Sequence, residues 1–592
     1  MEGRHDRAET RIEGIPVSPG IVRGAVMVTG RIFEAPEAQA IEEGAIAQEI
    51  ERFEAALAAT RKQIKAMQGK IADSVGSEDA SIFDAHLLVL EDRTVLDEVV
   101  RSLRERRVNI EAVFYAVLSR YIESLRQIDD PYLRERVIDV EDVARRVIRN
   151  LQGVEVESEE RSIPDGAGPV ILVAHELTPS ETAAVDQEIV GGFATELGGQ
   201  TSHAAIMARS LNIPAVVGLH DVCRRLESGE EVLLDGYHGV VILNPSGKTL
   251  AYYEELESQK KALAEKLAQS REKQAITSDG DHIILSGNIE FIHELDQVHA
   301  SGAEGVGLYR TEFFYMNRAE FPPEEEQAEN YRRVSESVQP NAAIIRTLDI
   351  GGDKLYPELH AEEEQNPFLG WRGIRVSLEE RQLFKTQLRA ILRASHHGKT
   401  GIMYPLVSGV EEVKAANRIL EECRGELREE GVPFDESLEV GAMMEVPSAA
   451  MMAELIAPEV DFFSIGTNDL VQYTIAVDRV NEKVASLYQP THPGVIRLIK
   501  RIVDAAHEHS IWVGICGEMA GDIVLTPLLV GMGLDEFSVG SGQLPQVKYA
   551  IRRLERKECV GLVEELLGWA DPAEIRDRCE TVAREKYPEL FE

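Results

Sequence analysis

At 592 residues the chain is too long for one ordinary hydrophobic core, and two to four domains are expected. Its 44% hydrophobic and 28% charged residues fit a globular protein, and no window approaches the roughly 18 uninterrupted apolar residues of a membrane helix, so no membrane-spanning helix is expected. Lys plus Arg at 63 against Asp plus Glu at 103 leave a net charge of −40, which repels nucleic acid and anionic membranes, would attract a basic protein partner, and equally serves plain solubility.

The charged start MEGRHDRAETRIEG lacks the apolar stretch of a secretory signal, so a cytoplasmic location is expected. The five cysteines are odd in number and unclustered, which predicts reduced thiols rather than a disulfide framework or a thiolate zinc site. A β-like opening, IEGIPVSPGIVRGAVMV (12–28), is followed by helical periodicity with almost no glycine or proline between Ala45 and Leu151. From about Ile163 the texture changes to short apolar runs broken by glycine, from PVILVA to GVVILNP, which predicts a compact β/α unit ending near Asn244. The opening strand is expected to belong to that unit, with the helical stretch inserted. Leu250 to Ala275, free of glycine and proline, predicts a connecting helix.

Eight apolar runs then recur, at 282–289, 305–315, 343–352, 401–407, 439–447, 461–470, 511–519 and 535–541. Their rhythm predicts a (β/α)8 barrel, whose chemistry gathers at the C-terminal ends of the strands. Polar residues costly in a core follow the apolar half of five of these strands: Arg310, Arg346, Glu445, Asn468 with Asp469, and Cys516. Arg310 and Arg346, with Arg372, Arg375 and Arg479 as further candidates, are forks suited to a small dianion or trianion. A rim ion pair is the competing account of each arginine, and an exposed helix face that of Arg372 and Arg375. Glu445 and Asp469 are hard oxygen ligands suited to Mg2+. Cys516, between glycines in GICGEM, is either a buried small hydrophobe or a thiol aimed at a ligand.

The stretch LGGQTSHAAIMARS places His203 behind Gly198, Gly199, Thr201 and Ser202, directly ahead of a predicted helix. Backbone N–H groups, hydroxyls and a helix N-terminus hold phosphate, and an imidazole there is a nitrogen nucleophile able to take a phosphoryl group. The alternative is an ordinary capping histidine packed into a turn. There is no P-loop, kinase signature or dinucleotide fingerprint, so nucleotide is not the evident phosphate donor.

GGQTSHAAIMARS, GVGLYRTEF, RTLDIGGDK, NPFLGWRGIR, FFSIGTNDLVQYT and GICGEMAG, in this order, resemble the Enzyme I family, the phosphoenolpyruvate-protein phosphotransferases of the bacterial sugar phosphotransferase system. The resemblance runs from about Ile12 to near the C-terminus. It implies a multidomain α/β chain: residues 1–35 as N-terminal strands of a swivelling β/α phosphohistidine domain, 36–155 as an inserted α-helical carrier-binding domain, and 156–247 as the rest of the phosphohistidine domain. Residues 248–278 would be a linker helix, and 279–592 a TIM-type (β/α)8 barrel that binds phosphoenolpyruvate and forms a homodimer.

In the resemblance, His203 is the phosphohistidine and Cys516 the proton donor to the enolate carbon. Arg310, Arg346 and Arg479 bind phosphoenolpyruvate, Asn468 and Asp469 contact its phosphate, Arg372 assists, and Glu445 and Asp469 hold Mg2+. The recipient implied is the histidine-containing phosphocarrier protein HPr. It would dock through IFDAHLLVLED and DDPYLRERVIDVED, where Leu88, Val89, Asp92 and Arg136 are the candidate contacts, with a solvated helix face as the bland alternative. Gln200, Ala204, Ala205 and Ile289-Glu290 depart from the family pattern, as does SVGSG at the eighth strand. Relatives that use ATP, such as pyruvate phosphate dikinase, need a nucleotide-grasp domain for which the residues ahead of Ile163 are too few. A non-catalytic sensor of phosphoenolpyruvate would be expected to carry a damaged site.

Overall fold

The computed structural model describes residues 9–29, 35–74, 86–87, 89–90, 92–126, 131–153, 169–175, 177, 189–199, 202, 205, 208–209, 213–315, 321–351, 366–479, 481 and 483–591. They divide into two compact units, Met1–Ser258 and Gln259–Glu592.

The first unit is built on an eight-stranded sheet: β1 (Thr10–Glu13), β2 (Ile15–Ser18), β3 (Ile21–Thr29), β4 (Val170–Ala174), β5 (Val190–Thr195), β6 (Ala215–Val217), β7 (Glu231–Asp235) and β8 (Val240–Leu243). Their spatial order is β1-β8-β7-β3-β4-β5-β6-β2. Strands β3 to β6 are parallel neighbours, and VILVA of β4 is buried at every position, as a strand covered on both faces should be. The opening strand joins this sheet as predicted: β3 pairs with β4 from Ala25 beside Val170 to Thr29 beside Ala174, although the helical segment separates them in the chain.

That segment contains α1 (Ile46–Ser74), α2 (Arg93–Arg106), α3 (Ile110–Arg126) and α4 (Pro131–Gln152). Apolar residues three and four apart give each helix one buried stripe, and Val99, Leu103, Ile110, Phe114, Val117, Val143 and Val147 meet in one core separate from that of the sheet. The rings of Phe53 and Phe114 lie 5.2 Å apart at its centre. The predicted connecting helix is α5 (Gly247–Ser270), which stops five residues short of the predicted end at Ala275 because the chain turns at Arg271–Lys273, where the N–H of Lys273 bonds to the carbonyl of Ser270. No helix among the described residues is long and apolar enough to cross a membrane.

The second unit holds a closed parallel barrel of the eight predicted strands: β9 (Ile284–Ile289), β10 (Val306–Arg310), β11 (Ala343–Arg346), β12 (Thr400–Tyr404), β13 (Glu439–Met443), β14 (Phe462–Gly466), β15 (Trp512–Cys516) and β16 (Glu536–Val539). Side chains alternate between two layers. Leu308, Ile344, Met403, Met443, Phe462 and Cys516 form one cluster, with the Phe462 ring stacked 4.3 Å from that of Trp512. Ile345, Ile402, Phe463, Ile515, Phe537 and Val539 belong to the larger core shared with the surrounding helices.

Glu536 occupies the face of β16 opposite Phe537 and Val539 and is buried. Burial lifts its carboxyl from 4.5 to about 7, against the opposing hydrogen bond of Ser286. A carboxyl raised on folding binds its proton more tightly in the native state, so its contribution to stability is complete below about pH 4.5 and is lost as pH rises through about 7. Glu536→Gln should therefore raise the melting temperature relative to the parent chain more at pH 8 than at pH 5, as measured by calorimetry at the two values.

Candidate active site

Parallel pairing aligns the strand ends, so polar residues that terminate neighbouring strands converge. Arg310 and Arg346, the last residues of β10 and β11, are register partners. Cys516 ends β15 opposite Gly466, which ends β14. Glu445 follows β13 by two residues, and Asn468 and Asp469 lie in the first turn of α6 (Thr467–Ile475), which starts directly after β14. Gly466 is required by close approach, since a Cβ there would stand 2.6 Å from Oε2 of Glu445.

Two like charges at neighbouring strand ends need separate partners, and each arginine has one. Arg346, 7% exposed, donates from Nη2 to Oε1 of Glu312 at 2.5 Å and places Nη1 3.3 Å from Asp349. Burial by itself would depress this guanidinium, and the charges of Glu312, Asp349 and Glu445 more than reverse that, leaving it raised. Arg372, 8% exposed, donates from Nη2 to Asp349 at 3.1 Å and to Asp469 at 3.0 Å, and from Nη1 to the Tyr473 hydroxyl at 3.2 Å. That hydroxyl donates in turn to the carbonyl of Phe368 at 2.5 Å. An exposed helix face is thereby excluded for Arg372. Arg375 instead turns to the backbone carbonyls of Leu369 and Gly370.

Arg310 donates to Glu290 at 2.5 Å, and its buried Nε has no partner among the described residues, as is also true of Nε of Arg346. Arg479 is more exposed and donates to Glu518 at 3.2 Å. Glu518 also receives a bond from Nδ2 of Asn468 at 3.3 Å, while its backbone N–H donates to Oδ1 of Asn468 at 3.0 Å. The sequence reading gave no role to the carboxylates Glu312, Asp349 and Glu518 or to Tyr473, and noted Glu290 only as a departure from the family pattern. Glu312, Asp349, Tyr473 and Glu518 do fall inside the motifs GVGLYRTEF, RTLDIGGDK, FFSIGTNDLVQYT and GICGEMAG.

Glu445 is buried, and its Oε1 accepts from the N–H of Leu406 at 2.6 Å, a residue in the left-handed region at φ 52°. Burial, then the charges of Asp469 and Asp349, raise this carboxyl. Cys516 is 2% exposed and its thiol donates to the carbonyl of Ile465 at 3.5 Å. Burial pushes the thiol up to about 11, so it carries its proton at neutral pH. Burial fits the small-hydrophobe account, and the place at a strand end fits the account of a thiol aimed at a ligand.

In the first unit, His203, Gln200, Thr201 and Ala204 lie outside the described residues. Beside them, Gly198 has φ 116°, a value that only glycine adopts without strain, and Ser202 bonds back to the carbonyl of Gly199 at 2.9 Å. Glu196 accepts from the N–H of Cys223 at 2.9 Å and stands 2.5 Å from Nδ1 of His175. Ala205 is fully buried, which explains a small residue there.

Of the candidate docking residues, Leu88 lies outside the described residues and Arg136 lies on α4. Val89 packs partly against the helical core. The carboxylate of Asp92 caps α2, accepting from the N–H groups of Thr94 at 2.8 Å and Val95 at 3.3 Å.

The closed parallel barrel gathers arginines, carboxylates and a protonated thiol at the strand ends where barrel enzymes carry their active sites, and guanidinium forks suit the oxygens of small carboxylate and phosphate anions. Three family models of one such class match the chain: the PEP-utilising enzyme N-terminal domain over residues 13–136, the mobile domain over 166–239, and the PEP-binding domain over 264–556. The phosphoenolpyruvate-protein phosphotransferase of Bacillus sp. (strain S) is 43% identical over 570 residues, covering 96% of this chain and 97% of its own. That of Haemophilus influenzae is 42% identical over 564 residues, covering 95% and 97%. A solution structure of an Enzyme I protein, nEIt, is 36% identical, with a TM-score of 0.35, covering 42% of this chain and 99% of its own. The chain belongs to the phosphoenolpyruvate-protein phosphotransferase family.

Asp349 serves two buried guanidiniums at once, and its removal takes one charged partner from each while Glu312 stays on Arg346 and Asp469 on Arg372. Asp349→Ala is expected to cost about 2 kcal/mol of unfolding free energy, the loss of hydrogen bonds to charged groups that keep a second partner. Urea melts of the two proteins check this.

Proposed function

We propose that the chain transfers the phosphoryl group of phosphoenolpyruvate to Nε2 of His203 and then to a histidine of the carrier protein HPr, releasing pyruvate as the first step of the sugar phosphotransferase system. The observation that carries this reading is the pairing of Arg310 with Arg346 on adjacent strand ends, in the barrel whose β15 ends in the buried, protonated thiol of Cys516.

In this reading Arg310, Arg346 and Arg479 hold the donor's carboxylate and phosphate oxygens, with Arg372, Asn468 and Asp469 beside the phosphoryl group. The imidazole nitrogen attacks phosphorus, the P–O bond to the enol oxygen breaks, and its electron pair passes into the enolate. Cys516 then gives its proton to the methylene carbon, forming pyruvate, and the thiolate is reprotonated from solvent. Guanidiniums already fixed by Glu312 and Asp349 meet the charge spread over the transferring group without reorganising.

Glu445 and Asp469 fit Mg2+: they are hard oxygen donors whose charges disfavour each other, and Mg2+ is commonly bound through one or two carboxylates together with substrate phosphates. When bound, the ion supplies positive charge to the phosphoryl and enolate oxygens.

The division at 1–35, 36–155, 156–247, 248–278 and 279–592 goes with this role. So do docking of the carrier on the helical insertion, a swivel of the segment bearing His203 between donor and recipient, a homodimer through the barrel, and a cytoplasmic location. For the carrier contacts, the capping role of Asp92 argues for the backbone of α2 being positioned by it, with Leu88, Val89 and Arg136 left as the side chains to test.

Incubation with labelled phosphoenolpyruvate and Mg2+, with and without HPr, tests the reading. Acid-labile, base-stable label should appear on the intact chain, pass to HPr, and be lost in His203→Ala; label retained by that variant overturns the assignment. Cys516→Ala should lower the turnover of pyruvate formation by about 10²-fold or more, as removal of a general acid does, while labelled donor still binds in equilibrium dialysis.

A further inference from the structure

The four arginines of the barrel mouth are not held alike. Arg346 and Arg372 face carboxylates that are nearly buried, with Glu312 at 1%, Asp349 at 6% and Asp469 at 14% side-chain exposure. Those carboxylates cannot leave without stranding a charge in the interior. Arg310 and Glu290 are different, being 32% and 33% exposed. The ion pair borders water and is correspondingly exchangeable.

The backbone of Glu290 is fixed even though its side chain reaches solvent. Oε2 of Glu294 accepts from the N–H groups of both Glu290, at 2.6 Å, and Phe291, at 3.0 Å. The Phe291 ring in turn lies 5.4 Å from that of Phe313, close after Arg310 in the chain. The Glu290 carboxylate therefore leaves Arg310 by side-chain rotation alone. On the other side of the pair, Nε of Arg310 is buried without a partner among the described residues, so this guanidinium still has capacity for an anion.

We infer that Glu290 is a displaceable counter-ion that occupies a donor of Arg310 and is exchanged for the substrate's own anionic group at each turnover. The inference rests on the reading of Arg310 as a ligand of phosphoenolpyruvate. Exchange makes binding a contest of charge. A trianion offers enough attraction to the surrounding arginines to displace the internal carboxylate, whereas the monoanionic product offers less and is expelled as Glu290 returns. Glu290 thus trades affinity for release and selects against singly charged acids.

Steady-state kinetics of the full chain with HPr, comparing the parent with Glu290→Gln and Glu290→Gly, test the idea. Both variants should show a KM for phosphoenolpyruvate lower by about two- to fivefold, without a rise in kcat, the size expected for loss of a partly exposed competing charge. Pyruvate should inhibit them at lower concentration than it inhibits the parent. The gap in KM should narrow as ionic strength rises, because screening weakens the contest on both sides. A KM unchanged or raised in both variants overturns the proposal and leaves Glu290 as a brace for Arg310. Arg310→Ala separates the two levels. If it leaves KM unchanged, the reading of Arg310 itself fails; if it raises KM while the Glu290 variants do not lower theirs, only the counter-ion proposal fails.

Discussion

Two guanidiniums can be buried at one barrel mouth only if carboxylates stand among them. Arg346 and Arg372 meet this condition through Asp349, which lies 3.3 Å from one and 3.1 Å from the other, while Glu312 and Asp469 complete the balance. Desolvation makes each isolated charge expensive, and mutual attraction in a poorly screened setting offsets that cost only when every group is held in place. The outcome is an array of positive groups whose orientation is settled before any ligand arrives. For a reaction whose transition state spreads negative charge over several oxygens, such preorganisation is the main service a protein can offer.

The same burial governs the acids of the mouth. It keeps the thiol of Cys516 protonated at neutral pH, which the proposed proton transfer to carbon requires. It also raises Glu445, whose negative charge is costly beside Asp469 and Asp349, a cost that a divalent cation would remove. Gly466 and the left-handed Leu406 show how closely the backbone is fitted around that carboxylate: one makes room for Oε2 and the other directs its N–H to Oε1. The outer arginines are arranged on another principle. Arg310 and Arg479 pair with carboxylates that border solvent, so the inner part of the mouth is rigid and the outer part exchangeable.

In the first unit, one long excursion of the chain is accommodated by a simple rule of sheet construction. Parallel strands require a crossover, and nothing in the pairing of β3 with β4 limits how long that crossover is. The four helices bury their apolar stripes against one another in a core of their own, so the excursion folds as a module between two hydrogen-bonded neighbours. Asp92 shows how a motif residue is used locally, its carboxylate taken by the start of a helix.

Much of this architecture was legible in the sequence. The eight barrel strands, the opening strand of the sheet, the helical insertion and the connecting helix are local patterns of apolar spacing and glycine punctuation, and local patterns survive folding. The identity of the residues closing the strands was equally readable, because parallel strands in register must bring their ends together. What only the tertiary structure decided is which carboxylate meets which guanidinium. Glu290 precedes Arg310 by 20 residues, Asp349 precedes Arg372 by 23, and Glu518 follows Asn468 by 50. No periodicity encodes such separations. Partners on different loops are chosen by the barrel's closure and by the cost of leaving a buried charge alone, and both come into being only when the strands have paired.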